Sequence, residues 1–468
     1  MDINQILTNS SRAFQKYNKL PGSERAHLLE SMADEIEALG DQLIKVIGEE
    51  CNLPEGRVLG ERGRTCGQLR MFAQVARTGS HLGIRKDQAL PDRTPLPRPD
   101  LRKINIPIGP IVVFGASNFP LAYSTAGGDT ASALAAGCTV VLKAHPGHPR
   151  TSAMVASALQ TAIKKLNMDP DIFIHVEASD FETGKALVQH PLTAGVGFTG
   201  SVSGGRALAN YATERKNPIP VFTEMGSTNP MIFINGASNS EINNWAASLA
   251  GAITLGAGQF CTNPGLIFGI KSDDFTHFYQ ELSTKISAIQ GIKMLNKGIH
   301  KNYLTKLEHA LNQKGINLLS QTSSAVDDLI AVPNLAITSG TSFIDNPILH
   351  EEVFGPYSLV VEFENYDQLT IALHAIDGQL TCSFFANEAD LLSQAHLVDI
   401  ATQKAGRIIF NGVPTGVEVC DSMVHGGPSP ATSDSRFTAV GSDAILRWLR
   451  PVCYQNFPDV LLPLELRG

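Results

Sequence analysis

Between residues 111 and 234, short β-branched runs alternate with helical stretches, and no other feature constrains the fold of this 468-residue chain so tightly. Residues 111–114, 138–142, 172–176, 195–198, 221–222 and 231–234 have the length and composition of buried strands. Residues 121–136, 151–166 and 203–213 carry the small or amphipathic pattern of helices. A strand that returns to its sheet through a helix pairs in parallel, so the alternation predicts a doubly wound, Rossmann-like α/β sheet. Ligands of such sheets sit beyond the carboxyl ends of the strands. The loops 115–120, 143–150 and 199–205 are therefore the expected ligand-binding edge.

The flanks read differently. The first eighty residues are helical in pattern; residues 23–39 place apolar side chains at helical spacing until Gly40 stops the run. Residues 89–110 contain six prolines, too many for a helix or a central strand, and predict an extended arm. After Gly226 the pattern is again α/β but less regular, and a second domain is expected there. Hydrophobic residues at 43% and charged residues at 18% are enough for large cores and exclude wholesale disorder. The net charge of −8 has no basic block, which disfavours nucleic acid as a partner. The amino-terminal residues lack a continuous apolar segment, and the most apolar stretch, 131–142, stops at Lys143, so neither a signal peptide nor a membrane span is expected. Seven scattered cysteines without a CxxC pair argue against a disulfide framework or a structural zinc site, and for a cytoplasmic protein with reduced thiols.

Three residues stand where chemistry is affordable. Cys261 lies in the turn-rich run Gly256-Ala-Gly-Gln-Phe-Cys-Thr-Asn-Pro-Gly265, where a thiol is open to act as a nucleophile, although many free cysteines are merely buried. Glu224 follows the strand-like Val221-Phe222-Thr223; it is either a surface ion-pair partner or a carboxylate whose burial suits it to take a proton near neutral pH. Asn118, after the first strand, is either a turn residue or an amide donor to an oxyanion. Gly200, Ser201 and Gly205 sit between a strand and a helix, where backbone N–H groups can meet a phosphate. That glycine turn is not GxGxxG and is weak alone.

In combination these segments are informative. Gly115-Ala-Ser-Asn118-Phe-Pro120, Val140-Val-Leu-Lys143, Phe198-Thr-Gly-Ser201, Glu224-Met-Gly226, Gly258-Gln-Phe-Cys261 and Glu351-Glu352-Val-Phe354-Gly-Pro356 occur in the order of the aldehyde dehydrogenase superfamily, which the whole chain resembles. Residues 90–93, 97–102, 411–419 and 425–428 resemble the branch of 2-oxoglutarate semialdehyde (2,5-dioxopentanoate) dehydrogenases and NADP-dependent fatty aldehyde dehydrogenases. The resemblance implies an α/β fold with an NAD(P)-binding domain (1–88 and 104–226, with a return helix at 429–449), a catalytic domain (227–428) and an oligomerisation arm (89–103 and 450–468). It implies a Cys261 thiolate that attacks the aldehyde, Asn118 and the Cys261 N–H as oxyanion donors, and Glu224 as the base for hydrolysis. No metal is required. Glu352 matches the residue that holds the nicotinamide ribose, Phe354 the one beside the ring, and Lys143 the one on the adenosine ribose.

NAD-preferring members commonly carry a glutamate three residues after that lysine, and this chain has Pro146, which points to NADP with NAD also accepted. His148 and Arg150 are either contacts for the extra phosphate or solvated loop residues. Residues 61–73 correspond to the helix along the substrate tunnel, so Arg64 and Gln68, one turn apart, become candidate substrate contacts, with Arg64 a carboxylate clamp or an ordinary salt-bridged arginine. His425 either reaches the mouth of that site or only fixes its loop. Ser429 departs from the aromatic residue that many relatives carry. The expected substrate is 2,5-dioxopentanoate, with a fatty or other aliphatic aldehyde as the alternative, and the expected assembly a homodimer or tetramer. A non-catalytic binding protein on the same fold would have lost Cys261, Glu224 or Asn118. A cofactor-free cysteine hydrolase would not need Lys143, Ser201 or Glu352.

Overall fold

The computed structural model describes residues 2–321 and 329–468. Helices α1 (Ile3–Tyr17), α2 (Gly22–Ala38), α3 (Gly40–Cys51) and α4 (Glu55–Thr78) open the chain, as the periodicity predicts. The Asp2 side chain caps α1 by accepting the Gln5 N–H, and left-handed Asn52 and Gly79 end α3 and α4. Leu28, Met32 and Ile36 of α2 and Leu69 and Phe72 of α4 share one core with the sheet that follows.

That sheet contains β1 (Ile111–Phe114), β2 (Val140–Lys143), β3 (Phe173–Val176), β4 (Gly195–Thr199) and β5 (Val221–Glu224). Its order is β3-β2-β1-β4-β5, parallel throughout. Helices α5 (Gly128–Ala136), α6 (Pro149–Lys165), α7 (Phe181–Gln189) and α8 (Val202–Thr213) make the crossovers. The chain runs outward from β1 to β3 and then returns beside β1 as β4. This reversal opens a crevice at the carboxyl ends of β1 and β4. One expected helix is shorter than the pattern suggested: residues 121–127 are turns, and α5 starts only at Gly128. The buried Glu61 carboxylate explains the delay, because its Oε1 accepts the N–H groups of both Leu121 and Ala122 at 2.9 Å.

Residues 231–234, the last of the alternating runs, leave this sheet and enter a second one. It comprises β6 (Met231–Phe233), β7 (Leu266–Ile270), β8 (Asn317–Gln321), β9 (Asn334–Ser339), β10 (Tyr357–Phe363), β11 (Gln379–Phe385) and β12 (Ala405–Phe410). The order is β8-β9-β10-β7-β6-β11-β12, with only β8 antiparallel to its neighbour. Helix α9 (Asn239–Thr254), started by a Ser238/Glu241 capping box, leads into the Cys261 loop.

Outside both sheets, Arg85–Asp87, Leu101–Pro107 and Leu449–Gln455 form a three-stranded antiparallel sheet with Leu101–Pro107 in the middle. Its strands begin before and end beyond the Pro-rich segment expected as the arm. The return segment is also a correction: residues 429–449 contain no α-helix, only a 3₁₀ stretch, Ser442–Trp448. Pro428, Pro430 and Gly441 interrupt any longer helix. Buried Trp448 then locks the segment to α5 by donating from Nε1 to Ser132 Oγ at 2.7 Å.

Candidate active site

Cys261 is held by its loop rather than by a regular element. Gly256, Ala257 and Gly258 all have positive φ. At Gly258 a Cβ would lie 2.3 Å from the Gly355 carbonyl oxygen, so no side chain fits there. Asn229, buried and left-handed after β5, donates from Nδ2 to the Cys261 and Asn263 carbonyls at 2.9 Å each. Gln379 Oε1 in turn accepts the Thr228 and Asn229 N–H groups. The loop is thus tied to β11 of the second sheet.

Asn118 donates from Nδ2 to the Gln259 carbonyl at 3.1 Å. This orients the amide and leaves its second N–H for another acceptor. The residues next to Asn118 and Cys261 also pack together: Phe119 and Phe260 meet edge to face at 5.3 Å. The Arg57 guanidinium lies 4.4 Å and 5.1 Å from those two ring centres, and Arg57 itself faces Glu61 at 3.3 Å.

Glu224 ends β5, paired with Thr199 of β4, and its backbone carbonyl accepts the Gly200 N–H at 2.9 Å. Its carboxylate is buried, as the sequence suggested for a base rather than a surface ion pair. His425, read either as reaching the mouth of the site or as only fixing its loop, lies beside Cys261 and Glu224. The buried His425 Nε2 is 2.8 Å from Glu224 Oε1 and 3.5 Å from Cys261 Sγ. Burial first, and then the Glu224 charge, push the Cys261 thiol well above its ordinary 9.0. The resting nucleophile is therefore a thiol that needs a base, and His425 Nε2 is in contact with it.

A cavity of about 700 Å³ runs from this cluster across the carboxyl ends of β1, β2 and β4. Cys261, Glu224 and Asn118 line one end, with Glu352 and Phe354 beside them; Lys143 and Pro146 line the other, with Gly200 and Ser201 between. Ser201 caps α8 by accepting the Gly204 N–H at 3.2 Å, so the first turn of that helix opens on the cavity. Lys143 donates from Nζ to the Ala178 carbonyl at 2.7 Å, and burial lowers its pKa. Glu352 is raised to about 7 by burial. The volume suits a dinucleotide, and Gly184 leaves room beside Lys143 and Phe114 that a side chain would fill.

Several sequence candidates lie elsewhere. Gly205 faces away from the cavity; a Cβ there would meet Met225 Sδ at 2.5 Å, so its smallness serves helix-to-strand packing. Gln68 is buried against Gly128 of α5, because that face of α4 is the packed one. His148 is buried with Nε2 2.8 Å from the Ala116 carbonyl, so it is neither a solvated loop residue nor a phosphate contact, whereas Arg150 is exposed as in its second reading, paired with Glu49 and Glu50. Arg64 does stand near the nucleophile, donating to the Tyr123 hydroxyl at 3.3 Å and the Val417 carbonyl at 2.7 Å. The sequence reading missed Asn229, Tyr123, Arg407 and Asp180. Asp180 caps α7 and lines the cavity near Lys143. Only for Asp180 was there a local signal, a helix-capping aspartate after a strand.

A cysteine in contact with a histidine and a carboxylate, a nearby side-chain amide and a dinucleotide-sized cavity over a doubly wound sheet fit an enzyme that forms a covalent adduct on sulfur beside a bound dinucleotide. Residues 1–429 match the aldehyde dehydrogenase family. The chain belongs to that family and is an oxidoreductase acting on aldehydes. It is 47% identical to an alpha-ketoglutaric semialdehyde dehydrogenase of Acinetobacter baylyi, covering 100% of this chain and 88% of that one. It is 45% identical to alpha-ketoglutaric semialdehyde dehydrogenase 2 of Azospirillum brasilense, covering 100% and 89%. Its fold superposes on a glyceraldehyde-3-phosphate dehydrogenase from Methanocaldococcus jannaschii complexed with NADP, with a TM-score of 0.81 at 18% identity over 97% of this chain and 93% of that one. Among the described residues, no helix is long and apolar enough to cross a membrane.

Proposed function

We propose that this chain oxidises 2,5-dioxopentanoate to 2-oxoglutarate with a nicotinamide dinucleotide. The observation that carries the chemistry is the contact of Cys261, His425 and Glu224 at one end of the cavity, the three reactive atoms lying within 4.8 Å of one another. The names of the two relatives at 45–47% identity support the substrate.

In this reading resting His425 carries its ring proton on Nδ1, so that Nε2 takes the Cys261 proton as Sγ attacks the aldehyde carbon, and Glu224 then balances the charge gained by the imidazole. The free N–H of Asn118 Nδ2 and the Cys261 backbone N–H hold the oxyanion of the resulting thiohemiacetal. Nicotinamide, when bound at the Glu352 and Phe354 end, supplies the acceptor for the hydride whose loss leaves a thioester on Cys261. Glu224 then removes a proton from the water that attacks the thioester; as the acid leaves, the proton on His425 returns to the Cys261 sulfur and the one on Glu224 is released to solvent. Glu352 would hold the nicotinamide ribose, the first turn of α8 the pyrophosphate and Lys143 the adenosine ribose.

Both NADP and NAD are accepted in this reading. Pro146 places no carboxylate beside the adenosine ribose, which favours NADP, but the Asp180 carboxylate near Lys143 repels a 2′-phosphate and limits that preference. The protein is further read as a cytoplasmic homodimer or tetramer. The three-stranded arm and the exposed Leu96, Leu461 and Leu464 support an assembly through that region.

The test compares kcat/KM for 2,5-dioxopentanoate, succinic semialdehyde and a long-chain aldehyde, each with NADP⁺ and NAD⁺, with Cys261→Ser as the control. The dioxo acid should lead, and the control should bind dinucleotide without turnover. A lead for the long-chain aldehyde would replace the substrate assignment. Undiminished turnover by Cys261→Ser would overturn the mechanism.

A further inference from the structure

Among the described residues, two guanidinium groups near Cys261 make no salt bridge, although the Arg64 charge still bears on Glu61 one turn away. Arg64, on α4, holds the Val417 carbonyl and the Tyr123 hydroxyl. Arg407, on β12, holds the Gly416 carbonyl at 3.0 Å and the Pro414 carbonyl. The Nε–H of each is buried without a hydrogen-bond partner. Of the scaffold arginines, Arg57 and Arg447 are ion-paired, with Glu61 and with Asp129 at 2.8 Å, whereas Arg215 is held only by carbonyls and buried Arg25 has an unpaired Nε–H among the described residues, so what sets Arg64 and Arg407 apart is their place beside Cys261. Two half-buried cations satisfied only by main-chain carbonyls and a hydroxyl are electrostatically incomplete.

Both charges are placed to act on a substrate at Cys261. Arg64 reaches the reacting groups by contact, through Tyr123, whose ring centre is 6.1 Å from that of His425. Arg407 is brought there by backbone packing: at the neighbouring Gly406 a Cβ would sit 2.2 Å from the Gly426 carbonyl, the residue after His425. The Arg64 charge bears on the Cys261 thiol, and Arg407 interacts electrostatically with Cys261 and Tyr123. The two arginines also grip one short segment, residues 414–417, from opposite elements. Val417, Gly416 and Pro414 are all held through their carbonyls.

We propose that Arg64 and Arg407 jointly form the subsite for the carboxylate of an aldehyde-acid substrate, with the backbone of residues 414–417 as its rim. The proposal rests on the substrate reading above and adds a residue pair to it. A planar carboxylate accepts two parallel N–H bonds from a guanidinium fork, and such charge-assisted bonds are stronger than those to carbonyls. A fatty chain placed against the two guanidinium groups would bury methylene groups beside cations and gain nothing from them. The subsite therefore selects short aldehydes with a distal carboxylate over neutral aldehydes.

The experiment measures kcat/KM for 5-oxopentanoate and for pentanal, same-length aldehydes with and without the carboxylate, in wild type, Arg64→Gln, Arg407→Gln and the double variant. Binding of 2-oxoglutarate to the protein without aldehyde is followed by calorimetry. The 5-oxopentanoate-to-pentanal ratio should fall about 10- to 100-fold in each single variant and further in the double, with weaker 2-oxoglutarate binding. Arg64→Lys and Arg407→Lys keep the charge but not the fork, so they should give intermediate ratios; they also serve where a glutamine variant does not fold. A wild type that favours pentanal would overturn the substrate reading itself. A wild type that favours 5-oxopentanoate, with that ratio kept within twofold by all variants, would overturn only the arginine subsite.

Discussion

Replacing His425 with Asn isolates the proton-transfer step. The substitution keeps a polar side chain of similar reach but removes a base 3.5 Å from Cys261 Sγ and 2.8 Å from Glu224. A thiol titrating at 9.0 is about 3% ionised at pH 7.5, and burial pushes Cys261 higher still. Without His425 the attack depends on that small thiolate fraction, so kcat/KM at neutral pH should fall by about 30-fold at the least, a lower bound that sits below the 10²- to 10⁴-fold typical of general-base removal. The pH profile should change with it. In the variant, kcat/KM should keep climbing through pH 9, because the depleted thiolate is refilled by hydroxide, whereas wild type should level off at lower pH. Stopped-flow measurement of reduced-nicotinamide formation across that range, with iodoacetamide alkylation of Cys261 reporting the thiolate directly, checks both. A loss below threefold with an unchanged profile would refute the assignment of His425 as the base.

Two further outcomes follow from the charge placement. Asp180→Asn should shift the ratio of NADP⁺ to NAD⁺ affinity toward NADP⁺ by about three- to tenfold at low salt and less at high salt; fluorescence titration without aldehyde measures it, and an unchanged ratio removes Asp180 from discrimination. Glu352 is raised from 4.5 to about 7 by burial, so the folded protein holds that proton more tightly than the unfolded chain does. The stability it contributes is complete below about pH 4.5 and is lost as pH rises through about 7. Glu352→Gln should therefore gain on wild type by up to about 3 kcal/mol above pH 7 and by little near pH 5. Denaturant unfolding of the cofactor-free proteins at the two pH values decides it, and a pH-independent difference would contradict the burial argument.

The doubly wound sheet was legible because strand and helix periods are local properties, and 111–224 alternates between them. The nucleophile was legible for a related reason: Gly258, Gln259 and Asn118 flank or hold the reacting groups within short motifs. What failed were statements about which way a side chain faces. Gln68 and Arg64 are one helical turn apart, yet one is packed under α5 and the other reaches Tyr123, because the neighbouring layer decides which face of α4 is covered. His148, read as a phosphate contact or a solvated loop residue, is instead buried against the Ala116 carbonyl, whereas Arg150 stands exposed as its second reading described.

The chain's own order of residues thus determined a parallel α/β sheet with its ligand edge, a cysteine on a glycine-rich loop, and a carboxylate at the end of a strand. Only the tertiary structure decided that His425, 164 positions after Cys261, touches its sulfur, and that Arg407 joins Arg64 at one segment. Helical and strand periods are written over a few residues, whereas contacts between β5, β12 and the 425 loop depend on how two separate sheets pack, which no local pattern encodes.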